Sequence, residues 1–222
     1  MSLNFIFFIT FYFIAIFSTI GFGLIFEKLF KIHSYKLNLG FTGLTGVLFL
    51  ITYSYISHFF FPHGNLHNLI LIIIGLIAFF FLISNKKKEE IILFLIIFFV
   101  LFSGFLLFKT HDDFPYYHFP YTYYLTQNSM IIGIGQFNHG FRTPSSSFYI
   151  NSLFYLPFIK YYMFNLFAVL IMGFANVVLI NKILIFLKNK KIDYIFYLSL
   201  LFIIFINIFF YRIQEHGTDH QM

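Results

Sequence analysis

The chain has 222 residues, of which 60% are hydrophobic, 39 are Phe and only 10% are Asp, Glu, Lys or Arg. A soluble domain carries about 25% charged residues, so the composition excludes a water-soluble globule and, with so much apolar content, a disordered chain. No Cys is present, which excludes a disulfide framework, a thiol nucleophile and a Cys-ligated zinc site. The net charge of +6 at pH 7 sits in Lys clusters between apolar runs, without the motif spacing of a nucleic-acid surface.

A helix that crosses the hydrocarbon core of a bilayer needs about 20 apolar residues. In chain order, the stretches that qualify are Leu3–Phe26, Leu37–Phe61, Leu66–Ser84, Ile91–Phe108, Tyr161–Asn181 and Tyr194–Tyr211. None has an Asp, Glu, Lys or Arg in its interior. Lipid cannot satisfy free backbone polar groups, and the period-two alternation of a barrel is absent, so these runs are read as helices. The first lacks a preceding Lys or Arg and a small-residue cleavage site, and is read as an uncleaved anchor.

Lys28, Lys31 and Lys36 follow the first span, Lys86 to Lys88 the third, and Lys188, Lys190 and Lys191 the fifth. The positive-inside rule places these clusters in the cytoplasm. The N-terminus, the segment from Lys109 to Lys160 and the C-terminal tail then face outward, across a bacterial inner membrane. The expected fold is an all-α membrane protein with about six transmembrane helices and one long outer-side loop. Residues 1–108 form a four-span bundle, 109–160 the loop with two interfacial helices, and 161–222 two further spans and a tail.

A loop this long in a compact protein is usually functional or disordered, and its density of Tyr, Phe and Ile argues against disorder. Phe114–Asn128 reads as a Pro-interrupted helix at the headgroup boundary, where Tyr places its ring in apolar and its hydroxyl in polar surroundings. Gly133, Gly135 and Gly140 mark an irregular turn region. Thr143 before Pro144 reads as an N-cap with Pro at the first helical position. The helix that follows, Pro144–Leu156, ends before Pro157 and presents Phe148, Ser152 and Tyr155 on a mixed face suited to an interface.

Candidate chemistry clusters on this side. Asp112 and Asp113 are two of only eight acidic residues, adjacent at a membrane mouth. A carboxylate there can act as general base toward a hydroxyl, or hold a divalent metal carrying a diphosphate. The plain alternative is helix capping by Asp113. Arg142 offers a planar fork for a phosphate, or for lipid headgroups alone. His111, His118 and His139 are candidate proton carriers or ligands without zinc spacing. His139, three residues before Arg142, is counted with it on a substrate surface. Arg212, Glu215 and Asp219 crowd the tail on the same side, as a second site wall or a solvated end. His58, His63 and His67 cluster near the second loop and receive no role.

Three stretches together, His111–His118, Gly140–Ser146 and Glu215–Asp219, resemble the GT-C membrane glycosyltransferases, and in particular the bacterial members that carry such stretches. The resemblance spans about Phe94 to Asp219. It implies a polyprenyl-phosphate-linked sugar as donor, with Asp112 or Asp113 as catalytic base and Arg142 or Arg212 at the lipid phosphate. It implies inverting displacement at the sugar C1 by an acceptor hydroxyl, and leaves metal dependence open. Members of the family are longer, with more spans, so the chain is expected to be the N-terminal part of such an enzyme. The alternatives are a non-catalytic polytopic protein or remnant, and a transporter or flippase subunit. The last fits least, because transporters place ionisable groups at the bilayer midplane.

Overall fold

A computed structural model describes residues 5–32, 37–106, 112–142, 144–190 and 192–209. Its helices are α1 (Phe5–Leu29), α2 (Leu39–His58), α3 (Asn65–Leu82), α4 (Lys88–Leu106), α5 (Phe119–Gln127), α6 (Ser146–Ser152), α7 (Leu166–Asn189) and α8 (Tyr194–Phe209). Among the described residues there is no strand, only an isolated bridge between Leu156 and Lys160. Among the described residues, helices α1 to α4, and α7 with the turn that precedes it, are the 5 long and apolar enough to cross a membrane. The chain is a multi-pass helical membrane protein.

Two span boundaries differ from the sequence reading. The fifth helix was expected over Tyr161–Asn181 but starts with a tight turn at Tyr161–Met163 and runs on to Asn189. Lys182 does not end it: its side chain is exposed, and a Lys can keep its charged head out of the apolar layer from such a position. Lys190, in the left-handed region at φ 51°, supplies the stop. The sixth expected span is described over the 16 residues of α8, and the rest of that stretch lies outside the described residues.

Inside a bilayer, lipid tails are as apolar as Leu, so close packing rather than hydrophobic expulsion holds helices together. Small residues permit that closeness here. A Cβ on Gly21 would strike the Gly75 carbonyl of α3, and one on Gly46 of α2 would strike the Thr19 carbonyl of α1. Thus α1 lies against both α2 and α3 at backbone distance. Toward α4 the spacing is filled by rings instead: Phe8 stacks on Phe105 at 5.5 Å, and the buried Tyr12 ring meets Phe102 at 4.9 Å. The Tyr12 hydroxyl donates to the Phe98 carbonyl at 2.9 Å, so the one polar atom of this seam is paired.

Helix α7 packs on α2, α4, α6 and α8 and is the most enclosed of the spans. Its Phe174 ring sits 5.0 Å from Phe98 and fills the place that a side chain on Gly43 would need. Between α7 and α8, Asn207 Nδ2 donates to Asn176 Oδ1 at 2.9 Å, a polar join of the kind that ties helices in apolar surroundings.

The Lys-rich end is closed by a second polar cluster. Lys86 Nζ pairs with Glu27 Oε2 at 3.0 Å and donates to the Leu37 carbonyl at 2.9 Å and to Thr42 Oγ1 at 2.7 Å. Glu90 accepts from the Leu39 amide at 3.0 Å, so α4 caps α2. These bonds bring the end of α1, the start of α2, the end of α3 and the start of α4 to one end of the bundle. The described part of the long segment lies at the other.

Gly46→Leu should lower the thermal midpoint in detergent, because overpacking a backbone contact costs about 1–3 kcal/mol or more. Gly64→Ala is the milder comparison: the nearest neighbour of the new Cβ is 3.7 Å away, so only the loss of Gly at the start of α3 should register, about 0.5–1 kcal/mol in equivalent stability.

Candidate functional site

The loop end is built by proline chemistry and then locked by polar groups. Pro115 is tolerated in a first turn, but Pro120 lacks the N–H that the next turn needs, so a regular helix cannot run unbroken from Phe114. The chain forms one wide turn over Phe114–His118, in which the Phe119 amide reaches back to the Phe114 carbonyl, before α5 begins. The Asp113 carbonyl accepts from the Tyr116 and Tyr117 amides at 3.1 Å each. The side chain of Asp113 does not cap the turn; its Oδ2 accepts from the Tyr117 hydroxyl at 3.3 Å. Asp112 is exposed.

The second expected interfacial helix differs in length and position. It spans Ser146–Ser152, not Pro144–Leu156, with Ser145 rather than Thr143 at the N-cap position. Thr143 itself lies outside the described residues. Ser147 through Ser152 are all buried, so α6 is inserted into the mouth of the bundle instead of lying on its surface. The mixed face has a different cause from the one inferred: the polar groups of α6 meet polar groups of the α2–α3 turn.

That meeting is a hydrogen-bonded knot. His63 donates from Nδ1 to Ser152 Oγ at 2.6 Å, since that hydroxyl already donates to the Tyr149 carbonyl. His63 Nε2 then accepts from Ser57 Oγ at 3.0 Å. Asn68 Nδ2 reaches the carbonyls of His63, Ser152 and Tyr155 at 2.7, 2.9 and 3.0 Å. Its Oδ1 accepts from His67 Nδ1 at 2.9 Å, and His67 Nε2 accepts from the Tyr53 hydroxyl at 2.9 Å. Asn151 Oδ1 accepts from the Phe167 amide at 3.0 Å and joins α6 to α7.

Beside the knot lies a cleft of 260 Å³. One wall is aromatic: Tyr121, Tyr124, Phe141 and Tyr149, with Tyr121 stacked on Phe141 at 5.0 Å. The opposite rim is Met130 to Gly135, and Arg142 stands at the edge with His58 within. Burial, and then the neighbouring Tyr149, raise the Tyr121 hydroxyl well above the usual phenol range, so it stays protonated. Arg142 is exposed, and its Nε donates to the Gly135 carbonyl at 3.3 Å. It has no carboxylate partner among the described residues.

Of the expected site residues, Arg142 lines the cleft, whereas Asp112, Asp113 and His139 do not. The two regions are nevertheless joined. Asn138 Nδ2 donates to the Tyr116 carbonyl at 3.1 Å, and Gly140 packs against the Tyr117 ring where a Cβ would not fit. His139 is exposed on the connecting turn. His111, Arg212, Glu215 and Asp219 lie outside the described residues. Among the described residues, no three of His, Asp and Glu converge as ligands for one metal ion. Of the histidines given no role, His63 and His67 form the centre of the knot and His58 lines the cleft. Their signal in the sequence was three His within ten positions at the turn between two clean spans.

The family model described as a domain of unknown function (DUF8201) matches residues 5–222, and the chain belongs to that family. No curated protein and no solved structure matches it.

Burial, reinforced by the nearby His58 and His67 rings, pushes the His63 pKa down from 6.5 to about 2. The folded state therefore binds fewer protons than the unfolded state at every pH between these values. Stability should be at its full value above pH 6.5 and fall on acidification by up to about 1.4 kcal/mol per pH unit. Thermal melts of purified protein between pH 7.5 and 5 should show this slope, and His63→Gln should flatten it.

Proposed function

We propose that the chain is an integral membrane glycosyltransferase, or the N-terminal part of one. It moves a sugar from a polyprenyl-phosphate donor to an acceptor hydroxyl on the periplasmic face of the inner membrane. The observation that carries this reading is the cleft: aromatic walls, an apolar rim and a single arginine at its edge. Aromatic faces suit the C–H surface of a sugar, and a guanidinium suits the phosphate to which the sugar is joined. Ile132 is 95% exposed on the rim, as expected for a segment that meets lipid tails rather than water.

In this reading Arg142 holds the phosphate, with no carboxylate partner among the described residues to compete for it. The acceptor approaches from the side of the Asp112–His118 turn, which packs against the turn leading to Arg142. An Asp112 or Asp113 carboxylate takes the hydroxyl proton, the oxygen bonds to C1, and the C1–O bond to the polyprenyl phosphate breaks. Attack opposite the leaving group inverts the anomeric centre. Arg212, Glu215 and Asp219, which lie outside the described residues, are the further substrate-binding groups of this reading. The three Lys clusters, by the positive-inside rule, put the opposite end in the cytoplasm.

Transfer from a panel of undecaprenyl-phosphate hexoses to membrane acceptors tests this. Asp112→Asn or Asp113→Asn should reduce transfer about 10²–10⁴-fold, the usual contribution of a general base. Arg142→Gln should raise KM by about tenfold or more, the weight of a charged hydrogen bond. Full activity in both Asp variants would remove the catalytic assignment, and no transfer from any donor would remove the reading itself.

A further inference from the structure

His58 is the last residue of α2 and is 2% exposed. Its ring is held by one bond and its backbone by another. Nε2 lies 3.0 Å from the Asn128 carbonyl, and the Met130 amide donates to the His58 carbonyl at 3.0 Å. A carbonyl can only accept, so Nε2 carries the proton and Nδ1 of the neutral ring is a lone-pair acceptor. That Nδ1 is buried and has no hydrogen-bond partner, and neither has the buried hydroxyl of Tyr124. Both residues line the cleft.

Unpaired buried polar atoms are rare because each costs about 1–3 kcal/mol. Two of them on one cleft, one obliged to accept and one able to donate, describe the complement of a hydroxyl group. We propose that His58 Nδ1 and the Tyr124 hydroxyl are the hydrogen-bonding residues that receive a hydroxyl-bearing ring in this cleft, with the ring's hydroxyls donating to His58 and accepting from Tyr124. The ligand class is a polyhydroxylated headgroup, stacked on the Tyr121 and Tyr149 side of the cleft. The proposal deepens the reading of the cleft as a donor site but needs no transfer chemistry. His58 binds and orients the ligand; the clamp by Asn128 and Met130 supplies the rigidity that such a contact needs.

The test uses full-length protein in nanodiscs, with glucose 1-phosphate and inorganic phosphate as probes, followed by saturation-transfer NMR. His58→Gln is the informative variant, because its amide N–H can replace Nε2 toward Asn128 while the Nδ1 acceptor is lost. Tyr124→Phe removes only the hydroxyl. Glucose 1-phosphate should bind wild type at least tenfold more tightly than it binds His58→Gln, with Tyr124→Phe also weakened, while phosphate binding stays the same in all three. Thermal midpoints should stay within a few degrees. Equal glucose 1-phosphate affinity in wild type and both variants would overturn the proposal and leave water as the partner of both atoms. Absence of saturable glucose 1-phosphate binding by wild type would overturn it too. Should His58→Gln fail to fold, Tyr124→Phe alone decides. His58-dependent binding without sugar transfer would sustain this inference and sink the transferase reading; transfer indifferent to both variants would do the reverse.

Discussion

The side-chain amide of Asn68 is the point on which the arrangement of the loop end depends. A segment that leaves a span and folds back into the bundle carries backbone carbonyls into a place with little water. Each must be paired or it costs free energy comparable to a lost hydrogen bond. Asn68 Nδ2 shares its two hydrogens among three of them, one from its own turn and two from the ends of the stretch Ser152–Tyr155. His63 takes the Ser152 hydroxyl. Only because these bonds exist can α6 lie buried, and only because α6 is buried do Tyr149 and Phe148 present an aromatic wall toward α5.

The two ends of the bundle solve different problems. At the Lys end, an ion pair, a hydroxyl and a backbone carbonyl satisfy one largely buried ammonium, and the charges cancel within the cluster. Removing either partner there would strand a charge, which is a reason for it to persist as a structural closure. The loop end uses neutral groups: imidazoles, amides and hydroxyls. Neutral groups can be buried without a counter-ion, and among the described residues they leave the exposed Arg142 as the one ionised side chain on the cleft. A site built this way keeps its field simple, with one positive group at the edge and protonated phenols inside.

The sequence made the spans legible because their signal is length and hydropathy, which do not depend on partners. It also exposed the Pro-interrupted turn before α5, since Pro removes a donor wherever it stands. The burial of α6 was not legible. Phe148, Ser152 and Tyr155 have the same mixed face whether the polar side meets headgroup water or a buried Asn, and only the position of Asn68 on another helix decides between them. The roles of His58, His63 and His67 were hidden for the same reason. A histidine run at a turn reads as surface until distant partners, Asn128 for His58 and Ser152 for His63, are in place. Asp112 and Asp113 were visible as a rare acidic pair, but nothing in their spacing told that they sit on a turn adjoining the cleft rather than within its wall.

That separation bears on how the loop end can work. If both carboxylates lined the cleft, they would face Arg142 directly, and an ion pair would occupy the guanidinium that a phosphate needs. The structure instead puts Tyr117 and the Asn138–Phe141 turn between them, with Asp113 engaged by the Tyr117 hydroxyl. The guanidinium and the carboxylates are thereby kept on neighbouring turns and do not pair with each other. The aromatic residues that make this spacing are the same ones that stack α5 onto α6, so the geometry of the site and the stability of the loop rest on a single set of contacts.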